Sequence, residues 1–232
     1  MLLDPNRRHI LTAGVATIAA AASGAQPAPA QGPSPMTYET KPLPFDPNTV
    51  PGLSAKLLTS HHENNYGGAV KRLNAIEASL RTLDWTTAAN FTINGLKREE
   101  LIAMNSMILH ELYFANLGTG GAPGGELARA LERDFGSVGA WRNEFAAMGK
   151  AQGGGSGWVL LCHSPRDNRL VNSWAADHTM SVAGATPILA LDMYEHAYHM
   201  DYGAKAGAYV DAFMSAIDWR NVAELYNARP KR

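Results

Sequence analysis

Asp192 and His196 stand four residues apart in "LDMYEHAYHMDYG", residues 191–203, a run otherwise dominated by aromatic and apolar side chains. A carboxylate buried there without a partner costs several kcal/mol, so the segment either lies at the surface or sets the carboxylate against something positive. A metal ion is one such partner. Two further histidines, His61 in "TSHHENN" and His110 in "ILHELYF", fall in helical patterns on faces that carry the apolar residues. Three imidazoles and one carboxylate suit borderline first-row metals such as Fe, Mn or Zn, and the lack of a thiolate argues for chemistry over a structural zinc site. Spacing alone does not bring His61 and His110 to the distant Asp192–His196 pair. That task belongs to the elements between them.

Ser54 is the predicted N-cap of a helix that runs to about Thr82 with Leu57, Leu58, His61, Val70, Leu73, Ile76 and Leu80 on or near one face. Gly67 and Gly68 interrupt it at a cost of about 2 kcal/mol relative to alanine, which predicts a kink or a close backbone approach. A second helix is expected from Lys97, where "REE" complements the N-terminal dipole, to Gly118. The following "GTGGAPGG" has neither a GK[ST] ending nor a preceding strand, so it is a flexible loop and not a phosphate cradle. Helical patterns return over residues 126–135 and, capped by Ser137, over residues 138–150. Glycines then release a strand over residues 158–162. "RLVNSWAA" and "TPILALDMY" supply two more, and the short "SPRDN" turn makes the first pair antiparallel. "KAGAYVDAFMSAI" and "NVAELYNA" are closing helices. The expected class is α+β: an N-terminal helical hairpin, then a small antiparallel sheet flanked by helices.

With 232 residues and 46% apolar content the chain can bury a substantial core. A net charge of −1, with no Lys/Arg block after the first residues, excludes a polyanion-binding surface for nucleic acid or anionic membrane. Cys162 is the only cysteine, which excludes an intramolecular disulfide. The start reads as an export signal over residues 1–30: "NRRHIL", an Ala-rich apolar run and "APA" at 28–30. The adjacent Arg7 and Arg8 resemble a twin-arginine signal, which implies a periplasmic or secreted mature protein without a membrane anchor. The other divisions are a proline-rich extended strap over 31–52, a helical hairpin domain over 53–120 and a C-terminal α/β domain over 121–232.

Taken in order, "LPFDPN", "SHHENN", "HELYF", "DFGSVGAW", "GGGSGWVLL" and "DMYEHAYHMDY" resemble the iron/manganese superoxide dismutase family over residues 43–228. The resemblance implies a helical hairpin followed by an α/β domain with a three-stranded antiparallel sheet. It implies one Fe or Mn ion per subunit, held by His61, His110, Asp192 and His196, and redox cycling of superoxide to dioxygen and hydrogen peroxide. It also implies a homodimer or a dimer of dimers, with Glu195 and Tyr198 at the subunit interface. Trp158 matches a tryptophan of the active-site wall. His178 falls where a residue facing the metal-bound solvent would sit, while Ser106 occupies the position of a glutamine found in many iron enzymes.

Several positions depart from the family pattern. The histidine and tyrosine usual four and eight residues after the first ligand are Asn65 and Ala69 here, and Tyr66 is the candidate to return a phenol to that space. Tyr194, His199 and Leu160 replace aromatic residues usual elsewhere. A widened entrance at Ala69 leaves a peroxide or organic substrate, or a metal-binding role, as alternatives to dismutation.

Overall fold

The computed structural model describes residues 37–229; the expected export signal and residues 31–36 of the strap lie outside them. From Thr37 the backbone is extended until a single 3-10 turn, Pro47–Thr49, which Asp46 caps by accepting from the Asn48 amide. Ser54 then caps α1 (Ala55–Ser60), accepting from the Leu57 amide. Its own N–H and hydroxyl donate to the Asp201 carboxylate at 2.7 Å each, fastening this helix start to the C-terminal half. A π-helical turn, His61–Tyr66, leads directly into α2 (Gly67–Thr82). The expected kink is therefore a widened turn. It ends at Gly67, and Gly68 follows.

The second long helix, α3 (Asn90–Ala115), begins seven residues before the expected Lys97 and ends three before Gly118. Its first two turns are largely solvated, with Phe91 82% exposed, so they carry no apolar periodicity to betray a helix. The far end stops where Asn116 turns inward. Its side chain donates to the Ile188 carbonyl and accepts from the Ala190 amide, joining α3 to the sheet.

After α4 (Gly125–Phe135) and α5 (Val138–Ala151), the latter capped by Ser137, come β1 (Trp158–Ser164), β2 (Arg169–Ala175) and β3 (Thr186–Asp192). They form an antiparallel sheet in the order β2-β1-β3. All seven residues of β1, the central strand, are buried. Pro187 is tolerated because β3 is an edge strand and the register shifts beside it, between Leu161 and Cys162. Gly157 opens β1 at φ +129°, and a Cβ there would stand 2.1 Å from the Ala175 carbonyl oxygen. No other residue fits. The short α6 (His199–Tyr202) precedes α7 (Ala206–Ser215) and α8 (Trp219–Ala228), which close the chain. The class is α+β with the helices first and a three-stranded antiparallel sheet after them. Among the described residues, no helix is long and apolar enough to cross a membrane.

Candidate metal centre

Four elements deliver one ligand atom each to one point. His61 opens the π turn, His110 lies in the penultimate turn of α3, Asp192 ends β3, and His196 sits in a 3-10 turn over Glu195–Ala197. Strand register sets Trp158 directly across from Asp192, so the sheet places the carboxylate beside the wall of the site. Asp192 Oδ2 lies 3.2 Å from His61 Nε2, 3.6 Å from His110 Nε2 and 3.3 Å from His196 Nε2. None of these four atoms has a hydrogen-bond partner, and all are buried.

Four converging orphan atoms are the mark of a cation site, because buried polar atoms are otherwise almost always paired. The ligand atoms lie within 4.8 Å of one another. Bonds of about 2.0–2.2 Å to a shared first-row ion require separations of up to about 4.4 Å, so a small contraction suffices. Two of the remaining polar atoms are already committed. Asp192 Oδ1 accepts from the Tyr194 amide at 2.8 Å, and His110 Nδ1–H donates to the Ser106 carbonyl at 2.6 Å. That bond selects the tautomer whose Nε2 lone pair faces the centre.

Electrostatics keep His61, His110 and Asp192 in their metal-ready forms. Burial drives the pKa of His61 down, and burial with the neighbouring His61 takes His110 down to about 3. Burial alone would raise the Asp192 pKa. The close approach of His196, and of His61, more than reverses it and holds the group well below the usual carboxylate range.

The sign of the pH dependence follows. In the metal-free protein, the unfolded chain gains a proton at His110 near the ordinary value of 6.5, while the native state refuses it down to about 3. Unfolding therefore becomes easier as pH falls through that window, by about 1.4 kcal/mol per pH unit for one such proton. His61 acts in the same sense, and Asp192 contributes only below its ordinary value of 3.8. The melting temperature of metal-free protein is expected to drop steadily on acidification from about pH 7 to about pH 4. A flat profile by calorimetry would contradict this.

Comparison with known proteins agrees with the constellation. The family description "Iron/manganese superoxide dismutases, C-terminal domain" matches residues 123–225. A superoxide dismutase [Fe] of Cupriavidus metallidurans is 67% identical over 83% of this chain and 98% of its own length. The chain belongs to the iron/manganese superoxide dismutase family. More distant relatives are a superoxide dismutase [Mn] 2 of Haloferax volcanii, 37% identical over 82% of this chain and 96% of its own, and a superoxide dismutase [Fe] of Pyrobaculum aerophilum, 31% identical over 80% and 90%.

Around the four ligands this family member builds an aromatic wall. Trp158 is fully buried, meets the His110 ring edge-on at 5.4 Å, and donates its Nε1–H to His178 Nδ1 at 3.0 Å. His178 lies 6.1 Å from His110, ring to ring, and stacks on Tyr194 at 4.8 Å. Tyr194 in turn stacks on His196 at 5.3 Å. Sequence reading took Tyr194 only as a replacement for another aromatic. Its place between His178 and His196 depends on a loop conformation that spacing does not encode. Tyr209 was also missed; its hydroxyl donates to the Asp192 carbonyl at 2.7 Å, far from it in sequence.

A cavity of about 260 Å³ opens beside this wall, lined by Asn65, Gly68, Ala69, Arg72, Ser106 and His178 among others. Tyr66 is absent from it, which corrects the expectation of a returning phenol. Its hydroxyl accepts from the Lys41 amide at 2.8 Å and donates to Glu111 Oε1 at 3.0 Å. It lines a different cavity, beside Lys41, His62 and Phe114. Tyr66 fastens the N-terminal strap to α3. Glu195 is exposed, whereas Tyr198 is buried and stacked on Tyr209 at 5.2 Å.

Proposed function

We propose that this protein is a superoxide dismutase, and the observation that carries the reading is the set of four buried, unpartnered ligand atoms around one point. A bound Fe or Mn ion supplies the one-electron couple by which one superoxide is oxidised to dioxygen and a second, with two protons, is reduced to hydrogen peroxide. His61, His110 and His196 each present Nε2 to the centre, and Asp192 presents the single negative charge. Ser106 and the Tyr194 amide orient two of the four, so little reorganisation accompanies metal uptake. Trp158 fixes His178 as a donor: with Nδ1 accepting, the neutral ring carries its proton on Nε2, and burial keeps the ring neutral by lowering its pKa. His178 lines the cavity beside the aromatic wall, together with Ser106, whose hydroxyl lies 3.3 Å from His110 Nδ1.

Iron is favoured by the 67% identical relative named as an iron enzyme, although relatives named for manganese share the same family. The deciding experiment follows superoxide decay per bound metal, with the chain from Gln31 loaded separately with Fe and with Mn. Fast decay with at least one metal is expected; full occupancy with negligible decay for both would reject the assignment. The remaining readings rest on sequence resemblance. Pairing through Glu195 and Tyr198 would give a homodimer, to be tested by sedimentation, with a protomer-sized species the contrary result. Residues 1–30 would direct export of the folded protein by the twin-arginine route. Arg7→Lys with Arg8→Lys should then trap the precursor inside the cell, and continued export would refute that route.

A further inference from the structure

A superoxide ion approaching this chain meets a net charge of −1, so the molecule as a whole offers no attraction. Any capture must come from local charge at the entrance. The 260 Å³ cavity reaches inward to Ser106, whose hydroxyl lies 3.3 Å from His110 Nδ1, and to His178. Arg72 is the one arginine or lysine lining it. It stands three residues beyond Ala69, one helical turn along α2 and on the same face. Ala69, between Arg72 and the inner end of the helix turn, contributes only a methyl group to the lining.

Arg72 is held at rest by Glu99 of α3, with which it forms an ion pair. Glu99 has a second cation, Arg98, whose guanidinium lies 3.6 Å from its other oxygen. Releasing Arg72 therefore leaves Arg98 at Oε1, while Oε2 gives up its cation. The Arg72 side chain is 54% exposed, so its swing breaks no packed core.

We propose that Arg72 is the substrate-guiding residue of this entrance, its guanidinium leaving Glu99 to meet the incoming anion and draw it past Ala69 toward His178. The inference rests on the dismutase reading. The chemistry it recognises is a small oxyanion, so inorganic phosphate should occupy the same mouth and compete with superoxide.

The test compares metal-loaded wild type with Arg72→Gln, Arg72→Lys and Glu99→Gln. In Arg72→Gln, kcat/KM for superoxide should fall about three- to tenfold at low ionic strength with kcat little changed, and its salt dependence should flatten. Arg72→Lys should retain most of the rate, and Glu99→Gln should raise it by freeing the guanidinium. Phosphate affinity, measured by calorimetry on the loaded proteins, should weaken in Arg72→Gln by a similar factor. Unchanged kcat/KM and salt dependence in Arg72→Gln would overturn the proposal. Loaded wild type inert toward superoxide would instead sink the dismutase reading, and in that event unaltered phosphate affinity in Arg72→Gln would overturn Arg72 as well.

Discussion

His110→Ala is expected to lower the affinity for Fe or Mn by at least about 100-fold and to take dismutation with it, since losing a ligand exceeds the 10–100-fold cost typical of disturbing a residue behind one. His110 reaches the centre from α3, and its Nε2 has no role in the fold: it makes no hydrogen bond. Its ring does pack edge-on against Trp158 and beside Phe114, so the alanine variant also leaves a cavity and should melt earlier. Melting alone would therefore not identify a ligand. The comparison that does is His62→Ala. His62 adjoins His61 in the chain, yet its Nε2 bonds to the Lys41 carbonyl at 2.8 Å instead of facing the centre. That variant should loosen the strap and keep a full metal complement. Measured by metal analysis after equilibration with a weak chelator, retention of metal by His110→Ala would remove His110 from the site.

How much of this was legible in the sequence depends on whether local pattern or tertiary contact decides each feature. Ser54 and Ser137 announced their helices because capping is a matter of neighbouring residues. The three strands were readable for the same kind of reason: glycines before Trp158 and a short turn after Ser164 bound them. The start of α3 was not, because its first turns face solvent and packing elsewhere along the helix decides that they form. The π turn was signalled only as a disturbance at Gly67 and Gly68. Its consequence, that Tyr66 turns toward Lys41 and Glu111, depends on an extra residue in one helical turn, which a straight-helix projection misplaces. Convergence of His61 and His110 on Asp192 and His196 lies beyond any spacing rule; only the family pattern supplied it before the fold did. Second contacts such as Tyr209 to the Asp192 carbonyl are invisible on both counts, since they join an undistinguished tyrosine to a backbone atom.

The second large effect concerns a residue that binds no metal. Replacing His178 with alanine should leave metal content intact and slow superoxide decay by about 10–100-fold, the range expected for a partner acting from behind the ligands. The argument runs through Trp158. Its indole N–H can only donate, and it donates to His178 Nδ1, so a neutral imidazole must hold its proton on the opposite nitrogen. Stacking on Tyr194 and the bond from the Asn105 side chain to the His178 carbonyl hold ring and backbone in place. In the alanine variant the indole loses its acceptor and the cavity loses its only imidazole. His178→Gln separates the two losses, since a carboxamide has an oxygen for the indole and an N–H for the cavity. If His178 works as a positioned donor, glutamine should recover a substantial part of the rate, and the metal's absorption spectrum should return toward that of wild type. Equal rates for His178→Ala and wild type would show that the proton reaches the centre by another path and would reduce His178 to a packing element of the aromatic wall.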